Sequence, residues 1–143
     1  APNADAGGVE IKKHIKKYIT KNSSNTKFFN SLGTLNFLSL LKIVDGIIGN
    51  SSSGIIEAPS LKTGTINIGF RQGGRETNKS IINCKPYKKE IDKALKLLFS
   101  KKFVKSLKSV KNVYERKDSS INILKKLKNV KVPKNLNKVF YDL

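Results

Sequence analysis

Two short apolar runs, Gly46-Ile47-Ile48 and Thr65-Ile66-Asn67-Ile68, stand on either side of the stretch GNSSSGIIEAPS, Gly49 to Ser60. Runs this short and this apolar suit strands buried on both faces. Helical periodicities flank them. Val9 to Ile19 places Ile11, Ile15, Tyr18 and Ile19 on one face with lysines opposite, and Tyr87 to Phe99 turns Ile91, Ala94, Leu95 and Leu98 inward. Leu35 to Val44 is apolar nearly all round and reads as a helix buried on most sides. Thr26 to Asn30 and Ser80 to Asn83 read as two further strands, giving four with Gly46–Gly49 and Thr65–Gly69. Ile55 to Pro59 has room for a turn or two of helix before Pro59 ends or bends it. Phe103 to Val110 and Ser119 to Leu127 are helical, and Pro133 marks a break. Helices alternating with buried strands imply an α/β fold around a parallel sheet covered on both faces. The domain expectation is one domain over 1–143, with a core at 1–100 and a helical, lysine-rich tail at 101–143.

In such sheets, ligands bind beyond the carboxyl ends of the strands. GNSSSG occupies one of those ends. Unpaired amides at a helix start, the positive end of its dipole, and the hydroxyls of Ser51 and Ser52 suit an anion such as phosphate. Gly49 and Gly54 let the backbone approach closely. No Gly-Lys-Ser/Thr follows, so the loop is not a nucleotide-hydrolysing P-loop, and no Gly-x-Ser-x-Gly frame is present. Spacing alone leaves a simple helix cap as an equal reading. Glu57, five residues after Ser52, tips the balance: a carboxylate about a turn from a phosphate repels it but can accept from the paired hydroxyls of a ribose. Arg71, in NIGFRQGGR after the next strand, brings a guanidinium suited to a diphosphate into the same crevice, and Arg75 is a weaker candidate.

The formal charge of +19 invites a nucleic-acid reading, but its distribution does not suit one. From Asp45 to Cys84 four basic residues (Lys62, Arg71, Arg75, Lys79) face three acids (Asp45, Glu57, Glu76). The excess is lysine on the outer faces of helices, with few aromatics interleaved to stack on bases, so no nucleic-acid partner is expected. No apolar run approaches the ~20 residues of a membrane span, so no membrane partner is expected either. Cys84 is the only cysteine, which excludes an internal disulfide and suits a reducing cytoplasm. His14 lies among lysines, on the solvent side of its helix.

Four stretches, in this order and spacing, carry a family likeness: PNADAGG (Pro2 to Gly8), SLGTLNFLSLL (Ser31 to Leu41), IGNSSSGIIEAPS (Ile48 to Ser60) and INIGFRQGGRE (Ile66 to Glu76). Together they resemble the carboxy-terminal half of the hydrolysing UDP-N-acetylglucosamine 2-epimerases of sialic- and legionaminic-acid synthesis. The resemblance implies the Rossmann-like second domain of a glycosyltransferase-B-like fold, truncated at its start, within a homo-oligomeric enzyme. It implies that UDP or UDP-N-acetylglucosamine binds without any cofactor or metal. Ser51 and Ser52 match diphosphate contacts, Glu57 the ribose carboxylate, and Arg71 a further nucleotide contact. Asn3 matches an asparagine at the nucleotide, the backbone near Leu32 the uracil contact, and Phe37 a neighbour of the base. The acid/base carboxylates belong to an amino-terminal domain missing here, and a catalytic histidine to the strand before this chain's first residue. No catalytic residue is therefore expected in this chain. The opening Ala1-Pro2-Asn3, with no Met, points the same way, to a piece of a longer protein. Two alternatives stay open: a GDP-linked member of the same family, and a glycosyltransferase domain that binds a nucleotide-sugar for transfer.

Overall fold

The structure is a computed structural model and describes residues 7–131. Among the described residues, three parallel strands form one sheet in the order β1-β2-β3: β1 Gly46–Gly49, β2 Gly64–Ile68 and β3 Ile81–Cys84. Six helices accompany them among the described residues: α1 Gly8–Lys21, α2 Gly33–Leu41, α3 Ser53–Ile56, α4 Lys88–Leu98, α5 Lys101–Leu107 and α6 Ser119–Asn129. A 3-10 turn, Ala58–Leu61, follows α3. The molecule is thus α/β and Rossmann-like, as its alternating pattern implies.

The central strand β2 divides its residues between the two faces by simple alternation. Ile66, fully buried, packs with Ala94 and Leu98 of α4, Phe103 and Leu107 of α5, and Val110, while Ile68, Ile82 and Cys84 flank that cluster. Thr65 and Asn67, both buried, turn to the other face. There Thr65 Oγ1 donates to the Gly54 carbonyl at 2.7 Å, and Asn67 Nδ2 to Asn83 Oδ1 at 2.8 Å.

Glycines decide how closely α4 docks. Gly46 and Gly64 are paired in register on neighbouring strands. A Cβ on Gly46 would stand 2.7 Å from a Leu98 methyl, and one on Gly64 would stand 2.6 Å from Leu98 and 2.8 Å from the Phe103 ring. The two missing side chains form the seat of Leu98.

The structure corrects three expectations. Thr26 to Asn30 forms no strand; Thr26 Oγ1 donates to the Asn22 carbonyl at 2.6 Å, and no neighbouring strand pairs with the segment. Strand-prone residues become a strand only where a partner offers a ladder. The helix read over Leu35–Val44 runs Gly33–Leu41, and it is not enclosed: Leu41 is its one buried residue, while Leu35 is 79% and, just beyond it, Ile43 81% exposed. The core also continues past residue 100, since Phe103, Leu107 and Val110 belong to it. Pro133 and the end of the tail lie outside the described residues. His14 is exposed, as its lysine neighbours imply.

Candidate functional site

β1 ends at Gly49, whose φ of 152° favours glycine, and the chain turns through Asn50, Ser51 and Ser52 into α3. Five consecutive carbonyls here are held by the protein itself. Asn50 O accepts from Gln72 Nε2 at 2.8 Å and Gly54 O from Thr65 Oγ1 at 2.7 Å. Ser51 O accepts from the Gly54 amide, Ser52 O from those of Ile55 and Ile56, and Ser53 O from that of Glu57. The Ser53 amide donates to Ser51 Oγ at 3.3 Å. The amides of Ser51 and Ser52 have no acceptor among the described residues. A loop with its acceptors consumed and donors left over is electrostatically suited to an anion. A cavity of about 170 Å³ opens beside it, lined by Ile47, Ile48, Gly49, Asn50, Ser51, Gly54 and Thr65.

The helix dipole contributes less here than the sequence suggested. α3 is four residues long, a single turn, so few peptide dipoles align behind the loop. Its capacity for an anion rests on amides and hydroxyls.

Glu57 links α3 to the 3-10 turn and is half-buried, and its Oε2 is buried with no hydrogen-bond partner among the described residues. A buried acceptor left unpaired costs about 1–3 kcal/mol, and nothing among the described residues offsets that cost at Glu57. The segment bearing it is braced from a distance in sequence. Asn112 Nδ2 donates to Ile56 O at 2.7 Å and to Ser60 Oγ at 2.6 Å, and Ser60 Oγ donates to Glu115 Oε2 at 2.8 Å.

Arg71 is exposed in the turn after β2, next in sequence to Gln72, whose bond to Asn50 sets this turn against the serine loop. The structure therefore brings together the loops that carry Ser51, Ser52 and Arg71. Glu57 and Arg71 do not line the small cavity. Leu32 caps the start of α2 and Phe37 is half-buried within it. α2 is fastened at its other end, where Leu41 O accepts from Thr63 Oγ1 at 2.6 Å, and no hydrogen bond joins Leu32 or Phe37 to the serine loop. Asn3 lies outside the described residues.

Sequence reasoning missed Gln72 and a second, wider cleft of about 940 Å³ past the ends of β2 and β3. This cleft is lined by Phe70, Asn83, Cys84 and Tyr87 among others. The Phe70 ring is 89% exposed. Burial, aided by the Glu90 carboxylate, pushes the Cys84 thiol above its ordinary pKa.

A parallel α/β sheet with a donor-rich glycine–serine loop at the carboxyl end of a strand defines the Rossmann-like class. Comparison with known proteins narrows this. The family described as UDP-N-acetylglucosamine 2-epimerase matches residues 1–128, and the chain belongs to that family. It is 44% identical over 142 residues to the GDP/UDP-N,N'-diacetylbacillosamine 2-epimerase (hydrolyzing) of Campylobacter jejuni, covering 99% of this chain and 36% of that protein. It is 35% identical, with the same coverage, to the polysialic acid biosynthesis protein P7 of Escherichia coli. A UDP-N-acetylglucosamine 2-epimerase of Neisseria meningitidis is 40% identical over 84 residues, which is 57% of this chain and 21% of that protein. The chain spans about a third of the length of the first two. Among the described residues no helix is long and apolar enough to cross a membrane.

Proposed function

We propose that the chain is the nucleotide-holding part of a hydrolysing UDP-N-acetylglucosamine 2-epimerase, the second domain of a glycosyltransferase-B-like enzyme that works in the cytoplasm as a homo-oligomer. The observation that carries this reading is the serine loop, with five carbonyls tied inward and the Ser51 and Ser52 amides left to donate. In this reading those amides and hydroxyls hold the diphosphate, and Arg71 offsets its charge. The Glu57 carboxylate accepts from the ribose hydroxyls. Asn3 adds a further nucleotide contact, and Leu32 and Phe37 stand at the base.

The reaction proceeds by elimination. The bond from sugar C1 to the diphosphate oxygen breaks, the proton at C2 leaves to a base, and a glycal forms. Water then adds its hydroxyl to C1 while a proton returns to C2 from the opposite face, giving N-acetylmannosamine and UDP. The acid/base groups come from outside this chain. Such groups typically supply ~10²–10⁴-fold each, so the chain alone does not turn over.

The test is NMR of the intact protein with UDP-N-acetylglucosamine in deuterated water. We expect free UDP and N-acetylmannosamine in equal amounts, deuterated at C2, and no product from the 143-residue chain alone. UDP-N-acetylmannosamine in equilibrium with substrate would contradict the hydrolysing branch, and turnover near one per second by the chain alone would contradict the division of labour. A second reading is favoured by the name of the Campylobacter relative, which includes GDP and a diacetylated sugar. Tighter binding of GDP than of UDP would select it.

A further inference from the structure

We infer that Gln72 is a positioning residue for the nucleotide reaction: its side-chain amide fixes the serine loop in the conformation that receives a diphosphate. This rests on the reading of that loop as the diphosphate site. Gln72 is 7% exposed, unusual for a glutamine in a surface turn. Its Nε2 reaches from the turn after β2 to Asn50 O, at the start of the loop after β1. Asn50 O only accepts, so the amide orientation is determined: nitrogen faces the loop, and the buried Oε1 is left without a partner.

The side chain starts from a rigid base. The Gly73 amide donates to Phe70 O at 2.8 Å and the Arg75 amide to Gln72 O at 3.2 Å, closing a compact turn completed by Gly74 at φ 79°. Leaving a buried oxygen unpaired is destabilising, so folding alone would favour an apolar side chain of the same length. What an apolar side chain could not do is hold Asn50.

The other end of the loop is fastened differently. Thr65 grips Gly54 from within the packed sheet, where a Cβ on Gly54 would stand 2.6 Å from Thr65 Cγ2. Removing the Gln72 amide thus loosens Asn50 and Ser51 while α3 stays seated. The loss then falls on ligands that carry phosphate, because pre-set donors give up affinity when they must be ordered at binding.

The experiment compares intact protein with its Gln72→Met and Gln72→Leu variants. UDP binding is followed by calorimetry, uridine binding by ligand-observed NMR, and exchange of the backbone amides over 50–57 by mass spectrometry without ligand. We expect UDP affinity to fall about tenfold, a loss of the size of one hydrogen bond. Uridine affinity should stay within error, the melting temperature should not fall, and exchange within 50–57 should quicken at the Ser53 and Gly54 amides, which bond to Ser51. Equal losses for UDP and uridine, or unchanged exchange in a folded variant, would overturn the inference. Failure of the unmodified protein to bind UDP would instead overturn the diphosphate reading on which it rests, and the exchange data would still decide whether Gln72 holds the loop.

Discussion

Glu57 carries the largest electrostatic consequence at the scale of a single residue. Its Oε2 is buried and unpaired among the described residues, and Asn112 holds the Ile56 carbonyl on one side of it and the Ser60 hydroxyl on the other. Replacing it by glutamine turns one acceptor oxygen into an amide donor. A hydrogen bond to a charged group is worth about 1.5–3 kcal/mol, so Glu57→Gln should weaken UDP binding by the intact protein roughly 10–100-fold. Calorimetry with UDP and with 2′,3′-dideoxy-UDP separates the causes. The ribose assignment requires the loss to vanish for the dideoxy ligand, and an equal loss for both would contradict it.

Packing at the level of elements turns on the paired glycines. Gly64→Ala would place a methyl 2.6 Å from Leu98 and 2.8 Å from Phe103, both held in the core. Overpacking of that kind costs about 1–3 kcal/mol, so the substitution should lower the denaturation midpoint at unchanged slope. A midpoint equal to the wild type would show that α4 is not seated on these strands. The strands β1 and β2 were legible in the sequence because each is a short apolar run bounded by glycine, and α4 because its inward positions recur at helical spacing. β3 was legible only from its two consecutive isoleucines, Ile81 and Ile82, since no glycine bounds it. The segment Thr26–Asn30 was misleading, since its aromatic and β-branched residues suit a strand but pairing is a tertiary property. The serine loop announced itself through composition. Gln72 did not: a glutamine beside two glycines looks like surface, and only the approach of the two loops gives it a partner.

Over the whole molecule, apolar surface and charge act in opposition. β1 is hydrogen-bonded to β2 on one side only among the described strands, and Ile48 beside that edge is half exposed. Leu35 and Ile43 are exposed before it, while Ile121, Leu124 and Leu127 form an uncovered stripe on α6. An open edge and such patches promote association. The net charge of +19 opposes it at low salt, but screening shortens its reach to ~8 Å at physiological ionic strength. The isolated 143-residue chain should therefore self-associate more as salt rises. Sedimentation showing a clean monomer at both low and high salt would contradict this.

Two openings compete for the nucleotide, the small cavity at the serine loop and the wide cleft past β2 and β3. A crystal structure of the intact protein with UDP decides between them. We expect diphosphate oxygens within hydrogen-bond distance of the Ser51 and Ser52 amides and ribose hydroxyls on Glu57. UDP lodged instead in the wide cleft, with its base against Phe70 or Tyr87 and the serine loop untouched, would contradict the assignment of the serine loop.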